Sequence, residues 1–328
     1  MPRIRMTLAL PAVSAAAVLA LAGCAASSAS DDASDGTFTL VTSTNVYGQI
    51  AQEIAGDDVT VTSIIDSASQ DPHEFEATAA DQLTVQSADL IVANGGGYDP
   101  FIDSLIDASG SEAPVIVAAE YSSAWQGEQA DEDTTAELQS DPHAELDHDE
   151  DELEGFNEHV WYSFDTIASV AQAIADELSA LLPDDASTFS ANLDAFTSQL
   201  DSLTASTDEI AAAHQGEEVM YTEPVPGYLV EAAGLVNVMP EDFSEAVEEG
   251  NDVPAATLLE ATTLLQSGEV SVLFANSQTG GAETTQLIDT ADAAGVPVLE
   301  VSETLPDGLT YIEWMQQNVS ALAAALDS

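Results

Sequence analysis

Short apolar runs alternate along this chain with longer segments whose apolar residues recur at helical spacing. The apolar runs predict β-strands at 38–42, 59–65, 89–93, 114–118, 218–221, 236–238, 270–274 and 296–301. Helical patterns fall between them, near residues 46–55, 77–87, 98–108, 225–233, 254–266, 280–294 and 309–326. This alternation predicts an α/β fold of two lobes, each a mainly parallel sheet flanked by helices.

The longest helical pattern separates the two predicted lobes. Its apolar residues recur at spacings of three, four and seven, and they are Phe189, Leu193, Phe196, Leu200, Leu203 and Ile210. We predict one linker helix over residues 184–214, roughly 45 Å long at about 1.5 Å per residue. The lobes then occupy residues 37–183 and 215–328. A helix packed within one lobe has the same periodicity and is the alternative.

The amino terminus has the features of an export signal over residues 1–23. Arg3 and Arg5 precede an apolar run at 6–21, which is short for a bilayer span. The sequence Leu-Ala-Gly-Cys that ends at Cys24 resembles the lipobox of bacterial lipoproteins. This resemblance implies that Cys24 is lipidated and that the protein is extracytoplasmic and anchored to the cell membrane. An ordinary signal peptide with an incidental cysteine is the alternative, and the small polar residues that follow, to residue 36, predict a flexible tether.

The charge balance removes several classes of function. The chain has 60 acidic residues against 2 basic ones, a formal net charge of −58, and both arginines lie in the first five residues. A chain without cations elsewhere is not expected to bind nucleic acid, because such binding needs Lys or Arg to displace phosphate counterions. For the same reason it is not expected to bind anionic lipid by charge. Because 45% of the residues are hydrophobic, the chain is nevertheless typical of a globular protein. The acidic surface is of the kind found in salt-adapted proteins.

One insertion differs from the rest of the chain. Residues 126–157 contain 13 acidic residues and little apolar content, which predicts a loosely ordered loop. His143 and His148 lie within it and are possible auxiliary metal ligands. The alternative, which the low histidine content favours, is a solvated acidic insertion.

Two other histidines lie in sequences that suggest chemistry. His73 follows the second predicted strand in Asp-Pro-His-Glu-Phe-Glu, so its imidazole is expected at the carboxyl end of that strand, where ligands bind in open α/β sheets. His159 lies where the acidic loop ends, in Asn-Glu-His-Val-Trp. His214 is expected to be an ordinary residue at the end of the linker helix.

At this point the chain resembles the cluster A-I solute-binding proteins of ABC transporters, which are zinc- and manganese-binding lipoproteins. The segments that carry the resemblance are 71–76, 157–161, 222–235 and 302–306. The resemblance implies metal ligands at His73, His159, Glu223 and Glu303, the first two from the amino-terminal lobe. It also implies a membrane permease as partner, a monomeric protein and a transported Zn²⁺ or Mn²⁺ ion.

The chain departs from the family pattern at residues 162–164, where Leu-Asp-Pro often follows the tryptophan, and at Glu158. Glu158 stands where the family usually has proline before the second histidine, which leaves the shape of that loop open. The fourth ligand is the least constrained of the set, and Asp307 and Glu300 are alternatives to Glu303.

The implied ligands also make chemical sense together. Two neutral imidazoles and two carboxylates cancel the charge of a divalent cation, which allows the cluster to be buried. Ligands from opposite lobes let the ion itself hold the lobes together. Oxygen donors suit Mn²⁺, whereas Zn²⁺ has the higher intrinsic affinity at most such sites, so the sequence leaves both metals open.

Other functions have less support in the sequence. The motifs His-Glu-x-x-His, Gly-x-Ser-x-Gly and Gly-x-x-x-x-Gly-Lys do not occur, so the chain is not expected to be an enzyme. A metal-dependent surface hydrolase or an adhesin on the same scaffold is the alternative. A receptor for anionic iron chelates is disfavoured because there are no basic residues to face the chelate.

Overall fold

Two parallel four-stranded sheets organise the chain in the computed structural model. The structure describes residues 37–67, 70–73, 75–127 and 155–328. The export signal, Cys24, His143 and His148 lie outside these residues. None of the described helices combines the length and the apolar character needed to cross a bilayer.

The amino-terminal lobe is built on strands in the order β2-β1-β3-β4. These strands are β1 (Thr39–Thr44), β2 (Thr60–Ile65), β3 (Leu90–Ala93) and β4 (Val115–Val117). Its helices are α1 (Asn45–Ala55), α2 (Ala79–Gln86), α3 (Pro100–Ser109) and α4 (Phe164–Leu181), with 3₁₀ turns at Gly56–Asp58, Ala118–Tyr121 and Val160–Tyr162. Every strand pair is parallel, as the run of helices between strands requires.

The carboxy-terminal lobe repeats this arrangement with the strand order β6-β5-β7-β8. Its strands are β5 (Glu218–Tyr221), β6 (Val236–Asn237), β7 (Val270–Asn276) and β8 (Val298–Val301). Its helices are α6 (Gly227–Ala232), α7 (Glu241–Glu248), α8 (Ala255–Ser267), α9 (Ala282–Ala294) and α10 (Tyr311–Leu326). The predicted α/β fold of two lobes is therefore confirmed.

Helix α5 (Ala186–His214) lies between the two lobes. It packs on α1 and α4 of the first lobe and on α6 and α10 of the second, which excludes a helix packed within one lobe. The predicted apolar stripe is buried along its whole length. Because burial of each large apolar side chain contributes about 1.5–3 kcal/mol, this stripe attaches the helix firmly to both lobes.

The two lobes share one hydrophobic core, so residues 37–328 form a single compact unit. Aromatic side chains occupy its centre, where Phe196 of α5 lies 6.1 Å from Tyr311 of α10, measured between ring centroids. The Tyr311 hydroxyl donates a 2.6 Å hydrogen bond to the Trp161 carbonyl of the other lobe. Separate apolar clusters fill the outer face of each sheet.

Asn45 joins the lobes through its side-chain amide. Its Nδ2 donates to the Leu305 carbonyl and its Oδ1 accepts from the Leu305 N–H, both at 2.9 Å. Two tyrosine hydroxyls add cross-lobe bonds nearby, Tyr162 to the Ser302 carbonyl and Tyr98 to the Glu303 carbonyl. This side of the interface is therefore fixed by packing and by directional hydrogen bonds.

The structure contains two helices that the sequence analysis does not predict, α4 and α7. In α4, buried residues recur from Phe164 to Leu178 at helical spacing, and the Ser163 side chain caps its first turn. Helix α7 is short, and among its eight residues only Phe243 and Ser244 are buried. A segment with one large buried side chain has too little apolar periodicity to be recognised.

Candidate metal centre

The carboxyl ends of strands from both lobes face each other across a cleft. His73 follows β2, Glu223 follows β5 and Glu303 follows β8. His159 immediately precedes the 3₁₀ turn Val160–Tyr162. Parallel strands place their carboxyl ends on one edge of each sheet, and loops at that edge carry ligand-binding side chains in open α/β sheets.

His159 is oriented by the neighbouring Asn157. The Asn157 Nδ2 donates to the Pro224 carbonyl of the other lobe at 3.0 Å, which turns its Oδ1 toward His159. That oxygen lies 2.8 Å from Nδ1 of His159, and an amide oxygen only accepts, so Nδ1 carries the proton. The Nε2 lone pair of His159 is therefore free to bind a metal. Metal-binding histidines commonly donate their other ring N–H to an acceptor in this way, which fixes the tautomer.

The surroundings of both cleft histidines favour the neutral imidazole. Burial lowers the pKa of His73, and burial together with the nearby His73 lowers the pKa of His159 well below its usual range. The rings lie 6.3 Å apart between centroids, and Tyr98 packs edge-on against His73 at 5.0 Å. Only neutral imidazole binds a metal ion, so this environment favours ligation over protonation.

Glu223 and Glu303 are both 3% exposed. The Thr279 hydroxyl donates to both carboxylate oxygens of Glu223. The Asn276 Nδ2 donates to Oε1 of Glu303 at 2.6 Å. Burial raises the pKa of both carboxyls, and the nearby Glu223 helps to raise that of Glu303 to about 8. No lysine or arginine among the described residues lies nearby to compensate the negative charge of these two carboxyls. A bound divalent cation would compensate it and so stabilise their ionised forms.

Glu303 also has an oxygen with an unused bonding capacity. Its Oε2 is buried and accepts no hydrogen bond from any described residue, and it lies 3.6 Å from Nε2 of His73. The other two candidates for this position, Glu300 and Asp307, are exposed. A buried carboxylate oxygen without a donor is rare in folded proteins, and a bound cation accounts for it.

The structure adds two glutamates that the sequence analysis does not propose as ligands, Glu158 and Glu248. His73, Glu158, His159 and Glu248 form one group in which each offers a ligand atom within 4.8 Å of the others. Glu223 is not part of this group, and neither is Glu303. The pKa of each added glutamate is raised, first by burial and, for Glu248, also by the charge of Glu158.

The two added residues carry different signals in the sequence. Glu158 is visible as a departure from the family pattern, whereas Glu248 ends helix α7, which sequence periodicity does not reveal. A cavity of about 640 Å³ opens beside them. It is bordered by carboxylates that include Asp71, Glu248, Asp252 and Glu283.

A model of the ZnuA family, described as the zinc-uptake complex component A, periplasmic, matches residues 40–325. The chain belongs to the ZnuA family. The match covers both lobes and every residue of the cleft described above.

Two lipoproteins match the chain at 25% identity. The manganese-binding lipoprotein MntA of Halalkalibacterium halodurans is 25% identical over 177 residues, which cover 54% of this chain and 51% of MntA. The zinc-binding lipoprotein AdcA of Streptococcus pneumoniae is 25% identical over 304 residues, which cover 89% of this chain and 56% of AdcA. The chain thus spans about half the length of the curated relatives it matches.

The fold has a counterpart among solved structures. The periplasmic zinc-binding protein TroA of Treponema pallidum superimposes with a TM-score of 0.69 at 22% identity, over 89% of this chain and 99% of TroA. At 22% identity this similarity shows a common fold.

Proposed function

We propose that this protein is the extracytoplasmic solute-binding lipoprotein of an ABC transporter. It captures a divalent transition metal ion, zinc or manganese, between its lobes and delivers the ion to a membrane permease for uptake. The observation that carries this proposal is the cleft itself, where neutral imidazoles of one lobe face buried carboxylates of the other. The ion is the transported substrate of this protein.

The proposed ligands of the bound ion are His73, His159, Glu223 and Glu303. Two carboxylates and two neutral imidazoles balance the charge of the ion, and the set has no competing ammonium or guanidinium group. Four protein ligands close a tetrahedral shell, whereas a catalytic zinc keeps a position for water. The donor set therefore supports a carrier and opposes a hydrolase.

The choice between zinc and manganese belongs to the proposal as well. One matching relative is named for manganese and another for zinc, and the mixed nitrogen and oxygen donors suit both. Zinc has the higher intrinsic affinity for such donors, and we propose it as the preferred ion in direct competition. Attachment by lipid at Cys24, the monomeric state and a role of His143 and His148 as auxiliary ligands are further parts of the proposal.

Metal binding by the purified protein after chelator treatment tests this function. Wild type is expected to bind one equivalent of Zn²⁺, and His73→Ala is expected to weaken binding by about a hundredfold or more because a ligand is lost. His214→Ala is the matched control, because this histidine lies outside the cleft and contacts Glu217 and Asp327 instead. The proposal fails if wild type binds no metal, or if His73→Ala binds as tightly as His214→Ala. Competition between Zn²⁺ and Mn²⁺ in the same assay identifies the preferred ion.

A further inference from the structure

We propose that the cleft binds its cation at two alternative positions, which share the two histidines and differ in their pair of glutamates. The inner pair is Glu223 and Glu303, and the outer pair is Glu158 and Glu248. A single ion occupies one position at a time, because both need the same imidazoles. This inference rests on the proposed metal-binding function and adds the route by which the ion reaches and leaves its resting site.

The four ligand atoms of the outer group lie close together. The two histidines and the outer glutamates each present a ligand atom, and all four atoms lie within 4.8 Å of one another. Four donors arranged tetrahedrally at about 2.0–2.2 Å from one ion are about 3.3–3.6 Å apart, so the group must draw together by up to about 1.5 Å to hold an ion. The outer position is chemically equivalent to the inner one, with two imidazoles and two carboxylates.

The outer glutamates belong to opposite lobes. Glu158 precedes His159 in the amino-terminal lobe, and Glu248 is the last residue of α7 in the carboxy-terminal lobe. Oε1 of Glu248 is buried and accepts no hydrogen bond from the described residues. An ion at the outer position therefore also connects the lobes.

The two pairs differ in how the protein holds them. Protein donors fix the inner carboxylates, Thr279 for Glu223 and Asn276 for Glu303. The outer pair borders the 640 Å³ cavity, together with His73 and Asp71, whereas neither inner glutamate is among its lining residues. Of the two pairs, the outer one is therefore the pair that borders the cavity.

This arrangement provides a stepwise path for the ion. A cation that enters the cavity meets the outer carboxylates and the imidazoles first, and then exchanges one pair of glutamates for the other. The histidines remain bound during the exchange, so the ion never returns to a fully hydrated state between the two positions. Release follows the same steps in reverse, which avoids breaking a closed four-ligand shell at once.

Equilibrium binding of Co²⁺, followed by its visible absorption, tests whether the outer position exists. In the double variant Glu223→Gln/Glu303→Gln, a single Co²⁺ is expected to bind at least about tenfold more weakly than in wild type. Adding Glu158→Gln and Glu248→Gln is expected to weaken binding by a further factor of at least about ten. The matched control adds Glu249→Gln and Asp252→Asn, which remove two cavity carboxylates outside the group. Equal weakening by the two additions would overturn the proposal.

Rates of zinc transfer provide a second test in a chain that keeps its inner ligands. Glu158→Gln and Glu248→Gln are each expected to slow zinc release to a chelator by about tenfold while equilibrium affinity changes by less than about threefold. Glu249→Gln is expected to release zinc at the wild-type rate. If both outer variants release zinc as fast as this control, the outer position is not used. That result leaves metal binding intact, whereas a wild-type protein that binds neither Co²⁺ nor Zn²⁺ contradicts the proposed function itself.

Discussion

Glu303→Gln tests how far a buried carboxylate without a bound metal ion lowers the unfolding free energy of the protein. The folded protein raises the pKa of Glu303 from 4.5 to about 8, first by burial and then by the charge of Glu223. At about 1.4 kcal/mol for each tenfold change in proton affinity, this corresponds to an upper limit of roughly 5 kcal/mol of unfolding free energy. The glutamine keeps the shape and can still accept the hydrogen bond from Asn276.

The direction of the effect follows from proton linkage. A carboxyl whose pKa is raised on folding binds its proton more tightly in the folded state, so its contribution to stability is complete below about pH 4.5. That contribution is lost as the pH rises to about 8. Metal-free wild type should therefore lose stability across this interval. Glu303→Gln should lose less because one titrating carboxyl has been removed, and it should still lose some because the other cleft carboxyls titrate.

Urea unfolding of the metal-free protein at about pH 5 and about pH 8.5 measures this difference. The variant should equal wild type at the lower pH and exceed it by roughly 2–5 kcal/mol at the higher pH, while its zinc affinity falls. Glu300→Gln is the control, because it removes a carboxyl that is exposed. If wild type and Glu303→Gln differ by the same amount at both pH values, or if Glu300→Gln gives the same difference, ionisation of Glu303 is not the cause.

Three further predictions concern the surface, the cross-lobe contacts and the aromatic cluster. The chain has 60 acidic residues and 2 basic ones, so salt should screen the repulsion between like charges and raise the melting temperature from low to molar NaCl. A flat or falling melting temperature contradicts this prediction. Asn45→Ala should lower the unfolding free energy by about 1–3 kcal/mol in urea unfolding, against no change for the exposed Asn251→Ala. Zinc should change the fluorescence of Trp161, which lies 5.1 Å from His159 between ring centroids, and Trp161→Phe should abolish the change.

The pattern of apolar residues was sufficient to predict the architecture. Each strand of both sheets is a short apolar run, and the buried stripe of α5 is the one that its spacing indicates. Helix α7 was not predicted, because its eight residues bury a single large apolar side chain. Short helices of this kind are specified by tertiary packing more than by periodicity.

The candidate site could be predicted only in part. His73 and His159 lie in recognisable motifs beside strand ends, and Glu303 follows the last strand. Glu248 is about ninety residues from Glu158 along the chain and approaches it only because α7 packs over the cleft. Such a contact depends on how helices pack in three dimensions, and neither spacing nor composition encodes it.

X-ray absorption at the zinc edge of the loaded protein shows whether the two cleft histidines bind the ion. Imidazole rings give a characteristic outer-shell signal, so the spectrum counts the histidine ligands. We expect two imidazoles and two oxygen donors at about 2.0–2.1 Å with no sulfur. His159→Ala should lose one imidazole from the spectrum or lose the metal, whereas His214→Ala should leave the spectrum unchanged. A zinc bound without imidazole, or with the same imidazole count after His159→Ala, would mean that the ion does not bind at the proposed site.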